Sequence, residues 1–224
     1  GGKEEPCPKG SRSGSGCCRR GVSNDPVGET IAYYEKAAPH YTASTAQDRH
    51  RRLDPFLDRL EPGAFILELG CGCGADAAHM GKRGFRIDAT DGTRAMTRKA
   101  EERFGITARV MRFDELAAMR EYDAVWAHAS LLHAPRAALP DVLTRIHRAL
   151  KPGGLHFANY KLGDDAHPDE GRDPLGRWTN LPDTDWLMEA YRTAGFTLVD
   201  GETYRGNGSD GVRRDWLALT VRRG

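Results

Sequence analysis

The sequence is short of cysteine, of net charge and of long apolar runs, and each shortage excludes something. Five cysteines occur in 224 residues, at positions 7, 17, 18, 71 and 73, and none follows Cys73. That distribution makes a poor disulfide framework, so a reducing, cytoplasmic compartment is expected. Cys71 and Cys73 form a C-x-C pair with no second Cys or His pair at structural-zinc distance, so no metal site is expected. Lys plus Arg total 33 against 32 for Asp plus Glu, a formal charge of +1. No field of one sign results, and no nucleic-acid partner is expected. No stretch approaches the roughly 18 uncharged apolar residues of a membrane helix, so no membrane partner is expected either. The first residues offer Lys3, Glu4 and Glu5 followed by Pro, Gly and Ser, which is not the pattern of a secretory signal.

Residues 1–25 are Gly/Ser/Arg-rich, nearly devoid of large apolar side chains, and read as a flexible arm or an expression remnant. From Val27 the texture changes. Ile31, Tyr34, Ala46, Leu53, Phe56, Leu57 and Leu60 recur at helical spacing and predict two helices over 27–38 and 43–60. A short apolar run over 64–69 stops at glycine and reads as a buried strand. Helices are then expected over 75–82, 94–104, 137–150 and 186–194. Strands are expected over 86–90, 108–112, 124–127, 155–160, 197–199 and 216–221, the last as an edge or hairpin addition. Alternating helices and continuously apolar strands predict an α/β fold, a mainly parallel sheet covered on both faces.

The stretch ILELGCGCGAD at 66–76 is the most informative. A strand ends at Gly70, three glycines alternate with two small cysteines, and an alanine-rich helix begins. Glycine suits a backbone that turns at positive φ or that a ligand must touch closely. The following helix turn presents unpaired N–H groups at the carboxyl end of the sheet. Gly70, Gly72 and Ala75 also satisfy the loose dinucleotide fingerprint, so the loop by itself does not name its ligand. Asp91 closes the next strand about twenty residues on, where a carboxylate accepts the hydroxyls of a ribose. Capping of the following helix is the alternative role for Asp91, and Thr93 can supply that cap instead.

Four separated features together resemble class I S-adenosylmethionine-dependent methyltransferases: Glu68 to Gly74, Asp91 after the second strand, YDAVWA at 122–127, and ALKPGG at 149–154. The segment WAHASLLH at 126–133, followed by Pro135 and a long helix, is similar to small bacterial methyltransferases of the tellurite-resistance type. The resemblance implies a Rossmann-like, doubly wound, seven-stranded sheet with an antiparallel edge strand and helices on both faces. It implies one domain over 26–224, with cap helices (27–60), a cofactor-binding core (64–161), and a substrate loop with C-terminal strands (162–224). S-adenosyl-L-methionine is the implied cofactor and S-adenosyl-L-homocysteine its product. Glu68 would orient the loop, and Gly70, Cys71 and Gly72 would line the methionine moiety. Asp91 would bind the ribose, with Gly92, Thr93 and Met96 flanking the adenosine. Phe113 and Asp114 would meet the adenine, Asp114 facing its amino group. The backbone at Ala127 and His128 would close the far side. Tyr41 would cover the cofactor, or else serve as an amphipathic core tyrosine.

Methyl transfer from a sulfonium needs alignment and water exclusion more than reactive side chains. A protonated nucleophile also needs a base, for which His128 and His133 at the end of the fourth strand are candidates, structural histidines being the alternative. Lys161, Arg172 and Arg177 in and before a long polar loop are candidates to seat an anionic substrate, or else are solvated. A small-molecule acceptor is expected, its identity and the oligomeric state being open. The position after the fourth strand lacks the Asn/Asp-Pro-Pro-aromatic pattern of enzymes that methylate nucleic-acid adenine, and lacks a second acidic residue for magnesium. A nicotinamide-dependent oxidoreductase and a non-catalytic cofactor-binding module are the rival readings.

Overall fold

The computed structural model describes residues 25–41, 46–164 and 169–224, and of residues 46–50 the backbone alone. The expected arm, with Cys7, Cys17 and Cys18, lies outside the described residues apart from Asp25. Six α-helices are described: α1 (Pro26–Ala37), α2 (Ala46–Leu57), α3 (Ala75–Lys82), α4 (Arg94–Phe104), α5 (Leu139–Ala149) and α6 (Thr184–Thr193). The strands are β1 (Phe65–Leu69), β2 (Arg86–Asp91), β3 (Ala108–Val110), β4 (Tyr122–Ala127), β5 (Leu150–Lys161), β6 (Glu170–Arg172), β7 (Trp178–Asn180), β8 (Phe196–Asn207) and β9 (Arg213–Arg223). Local chemistry explains several ends. Asp25 caps α1 by accepting from the Gly28 amide at 2.9 Å, with Pro26 in the first turn. Gly105, at φ 65°, ends α4. Asp183 caps α6 through the Trp186 amide at 2.7 Å.

A seven-stranded sheet runs in the order β3-β2-β1-β4-β5-β9-β8, with β1 to β5 parallel. The chain leaves β1 toward β2 and β3, then returns on the other side of β1 with β4 and β5. That reversal opens a crevice beyond the carboxyl ends of β1 and β4. The reversed strand is β9, antiparallel to β5 on one side and to β8 on the other, so the expected antiparallel edge strand lies one place in and the edge position belongs to β8. The sequence suggested only 197–199 for β8, because most of its twelve residues are exposed and polar. A second small sheet, β6–β7, folds the expected substrate loop into a hairpin too short to leave a periodic signal.

Strand alternation divides the core. Leu67, Leu69, Val125 and Ala127 face the cluster built with α5 and α6, while Ile66, Ala124 and Trp126 face the one built with Leu53, Phe56 and Leu57 of α2 and Met80 of α3. Helix α5 buries Leu139, Val142, Leu143 and Ile146, one stripe at helical spacing. Trp126 is fully buried, stacks on Phe157 at 4.1 Å between centroids, and donates its indole N–H to Asp76 Oδ2 at 2.9 Å. The core thereby reaches the first turn of α3, beside the glycine loop.

Gly74 precedes α3 at φ 79°, and a Cβ there would stand 2.7 Å from Ala100 Cβ of α4. Gly74→Ala is therefore expected to cost about 2–3 kcal/mol through backbone strain and overpacking, read as a lower urea midpoint with unchanged m.

Candidate active site

The glycine loop is pinned at three points. Gly70 and Cys71 both donate their amides to Thr90 O, at 2.9 and 2.8 Å. Gly70 adopts φ 80°, and a Cβ on it would come within 2.5 Å of Ser130 Cβ, so glycine is required there by the chain that follows β4. Gly72 donates to Asp91 Oδ2 at 3.0 Å, and the other Asp91 oxygen accepts from the Thr93 amide at 2.9 Å. A Cβ on Gly72 would meet nothing closer than Tyr41 Cε1 at 3.9 Å, so the space over the loop is open and roofed by that ring. Capping of α4 falls to neither Asp91 nor Thr93. Glu35 of α1 accepts from the Arg94 and Ala95 amides at 2.8 and 3.1 Å.

These groups face a cavity of about 760 Å³ at the crevice. Tyr41, Glu68, Gly70, Cys71, Gly72, Asp91, Gly92, Thr93, Met96, Phe113, Asp114 and His128 all line it, as do Lys161, His133 and Arg177. Two expected residues do not. Ala127 is fully buried in the core, and His128, Ala129 and Ser130 form the wall instead. Arg172 is turned outward, its guanidinium donating twice to Glu29 of α1 at 2.8 Å. Asp114 lines the rim with its carboxylate already bound to the Arg112 guanidinium. Cys71 and Cys73 are buried free thiols, and burial pushes the Cys71 thiol up.

Burial raises both acids of the loop. Asp91 is raised by desolvation, with the Gly72 and Thr93 amides pulling the other way. Glu68 is raised well above the carboxylate range by desolvation and then by the charges of Asp76 and Asp91, and its Oε2 is buried without a partner. Beside them, His128 holds Nδ1 3.6 Å from Asp76 Oδ2. Ala129 takes φ 51°, unusual for a residue with a side chain, and its amide donates to Asn159 Oδ1 at 2.6 Å.

The opposite wall is a hydrogen-bonded chain. His133 Nδ1 lies 2.6 Å from Trp178 O, and a carbonyl only accepts, so Nδ1 carries the hydrogen. Neutral His133 then presents its Nε2 lone pair to Tyr34 Oη at 3.0 Å, and the phenol must donate. Arg177 Nη1 donates to the same phenol oxygen at 2.9 Å and to Ser209 Oγ at 2.8 Å. The rest of the Arg177 guanidinium is paired with Asp173 at 2.5 and 2.9 Å. Lys161 is bound to Asp210 of the β8–β9 turn, and both side chains are at most 3% exposed. Tyr34, Asp173, Ser209 and Asp210 were missed from the sequence. Tyr34 read as part of an amphipathic helix, Asp173 lay within the long polar loop, and Ser209 and Asp210 carried no reading of their own; Asn159, a polar residue inside a buried strand, was a local signal available.

Residues 66–154 match the family model of the methyltransferase domain. Over those residues the chain is similar to methyltransferase domains. The domain is 31% identical over 139 residues to squalene methyltransferase 1 of Botryococcus braunii, covering 58% of this chain. The chain spans about a third (36%) of that relative's length. Among solved structures, a methyltransferase from Methanosarcina mazei superposes with a TM-score of 0.65 at 17% identity, covering 75% of this chain and 96% of that one. The 1,6-didemethyltoxoflavin-N1-methyltransferase of Burkholderia thailandensis, with bound 1,6-didemethyltoxoflavin and S-adenosylhomocysteine, gives 0.60 at 23% identity, covering 86% and 79%. Among the described residues, no helix is long and apolar enough to cross a membrane.

His133, like the equally buried His156, is held neutral by burial. Burial, followed by the charges of Arg177 and Lys161, lowers it to about 4, with the Trp178 carbonyl and Asp173 acting in the other direction. An unfolded chain binds this proton first as pH falls below the ordinary 6.5, so stability declines from there to about pH 4 and levels off below. Between pH 7 and 4.5, wild type is expected to lose on the order of 2 kcal/mol more than His133→Gln in urea unfolding. Equal losses would contradict a neutral, buried imidazole.

Proposed function

We propose that this chain transfers a methyl group from S-adenosylmethionine to a small-molecule acceptor at the carboxyl edge of β1 and β4. The observation that carries this reading is the Gly72 amide held on Asp91 beneath an open, Tyr41-roofed cradle. The residues fit the cofactor on three counts. Any side chain on Gly72 would fill the cradle. Asp91 is held in place by two amides and keeps acceptor capacity on both oxygens for ribose hydroxyls. The partnerless Glu68 Oε2 is a buried acceptor beside the loop, suited to a cationic amino group.

Bound S-adenosylmethionine supplies a methyl group already activated on a sulfonium. The chain supplies placement and water exclusion. Met96 and Thr93 would flank the adenosine, Phe113 and Asp114 would meet its adenine end, and Tyr41 would cover the cofactor over the loop. His128 and His133, both lining the cavity, are the groups proposed to handle a proton. His133 is the better placed, because its Nε2 already receives a hydrogen from Tyr34. Lys161 and Arg177 remain acceptor contacts in this reading, each acting together with its paired carboxylate. Arg172, turned away onto Glu29, steadies the β6–β7 hairpin against α1.

Calorimetric titration with S-adenosylmethionine and S-adenosylhomocysteine is expected to give saturable binding, and with NADH or NADPH none. Asp91→Ala is expected to weaken cofactor binding about 10- to 100-fold, the loss of charge-assisted hydrogen bonds. Tight NADPH binding with weak S-adenosylmethionine binding would transfer the assignment to the oxidoreductase reading.

A further inference from the structure

On the methyl-transfer reading, we infer that the acceptor is an uncharged, ring-sized molecule whose nucleophilic atom bears a hydrogen, a hydroxyl or N–H, and that Tyr34 Oη receives that hydrogen. Three observations converge on this.

The first is electrostatic. The two buried cations beside Tyr34 are already neutralised by carboxylates: Lys161 by Asp210 and Arg177 by Asp173, all four side chains at most 4% exposed, while Arg51 and Arg52 farther along the cavity share Glu202. Each pair is closed, with the Arg177 guanidinium spread over Asp173, Tyr34 and Ser209. An anionic acceptor would have to break a buried pair or lie desolvated beside Asp173 and Asp210, and either is costly. A cationic acceptor would face the cofactor's own positive charge, with the Asp210 and Asp173 carboxylates already taken up by Lys161 and Arg177.

The second is the direction of the hydrogen-bond chain. The Trp178 carbonyl fixes the hydrogen on His133 Nδ1, so Tyr34 donates to Nε2 while accepting from Arg177. A phenol whose hydrogen is committed can only accept from a ligand, and its oxygen has a second lone pair for that purpose. Tyr34 lines the cavity, so a ligand donor has access to it.

The third is shape. Aromatic rings bound the same space: Tyr34 and Tyr41 meet edge to face at 6.0 Å on one side, and Tyr204 stacks on Trp216 at 6.1 Å on the other. Such walls favour a flat, apolar body with a polar edge.

In the reaction, the acceptor's lone pair forms the bond to the methyl carbon as the carbon–sulfur bond breaks and its electrons remain on sulfur. The methylated acceptor, now cationic, passes its hydrogen to Tyr34 Oη while the phenol hydrogen moves to His133 Nε2. The positive charge thus ends on an imidazole that burial makes quick to release it. A weak base suffices because the hydrogen is removed from a cation. Tyr34 is then a catalytic residue, and His133 acts through it.

A matched pair of probes tests the inference without knowledge of the natural acceptor. S-adenosylhomocysteine is titrated first; failure to bind at this stage overturns the proposed function itself. The loaded protein is then titrated at pH 7.5 with 2-naphthol, neutral with an O–H, and with 2-naphthoate, the carboxylate of equal size. The expected result is naphthol at least about tenfold tighter, with Tyr34→Phe lowering naphthol affinity and leaving that of naphthoate alone. Asp210→Asn exposes the Lys161 ammonium, and Asp173→Asn does the same for Arg177. Either variant that retains S-adenosylhomocysteine binding is expected to raise naphthoate affinity about tenfold. Equal affinities, a preference for naphthoate, or no binding of either probe to the loaded wild-type protein overturns the inference.

Discussion

One carboxylate organises the site. Asp91 ends β2, and both of its oxygens are engaged by backbone amides, Gly72 from the loop after β1 and Thr93 from the entry to α4. A buried acid stays where it is only if donors hold it, and these two amides do so while leaving lone pairs toward the cavity. The arrangement depends on the strand order. With β2 beside β1, the end of one strand meets the loop of the other, and with β4 on the far side the crevice stays open. Glu35 frees Asp91 from capping duty by closing the N-terminus of α4 itself.

The two walls of the cavity differ in their electrostatics. On the loop side, Glu68, Asp76 and Asp91 crowd acidic groups into a low dielectric; burial raises Glu68 and Asp91, and the charges of Asp76 and Asp91 raise Glu68 further. That wall is suited to a ligand bringing positive charge. On the other side, Lys161 and Arg177 are each paired with a buried carboxylate, and the tyrosine and histidine between them are neutral. The pairs also join elements distant in sequence. Arg177 connects the β6–β7 hairpin to α1 through Tyr34 and to the β8–β9 turn through Ser209, and Lys161 ties β5 to that same turn. The cap over the acceptor space is therefore held largely by polar contacts, which are costly to break one at a time.

The fold class and the cofactor side were largely legible in the chain. Continuous apolar strands, the Gly70 to Gly74 loop and Asp91 about twenty residues on are local patterns, because strand burial and a tight turn impose their residue types on neighbours in sequence. Where local reading fell short, tertiary placement was the reason. Edge strand β8 carries exposed polar residues and leaves no apolar alternation to find. Gly70 reads as a positive-φ turn beside a ligand, and its φ of 80° and place on the cavity agree, but its crowding against Ser130, sixty residues later, was not legible. Arg172 and Arg177 looked alike in the same polar loop, yet a hairpin turns one out to Glu29 and the other in against Tyr34.

By itself, then, the sequence determined that a glycine loop and an acid would meet at the carboxyl edge of a parallel sheet, since both are read from spacing along adjacent strands. Only the tertiary structure decided the charge of the acceptor wall. Whether Lys161 and Arg177 present free charge depends on Asp210 and Asp173, and whether Tyr34 donates or accepts depends on His133 and a backbone carbonyl at Trp178. Those partners converge from α1, the β6–β7 hairpin and the β8–β9 turn, and hydrogen bonds set by distance and direction across the fold leave no pattern in residue order.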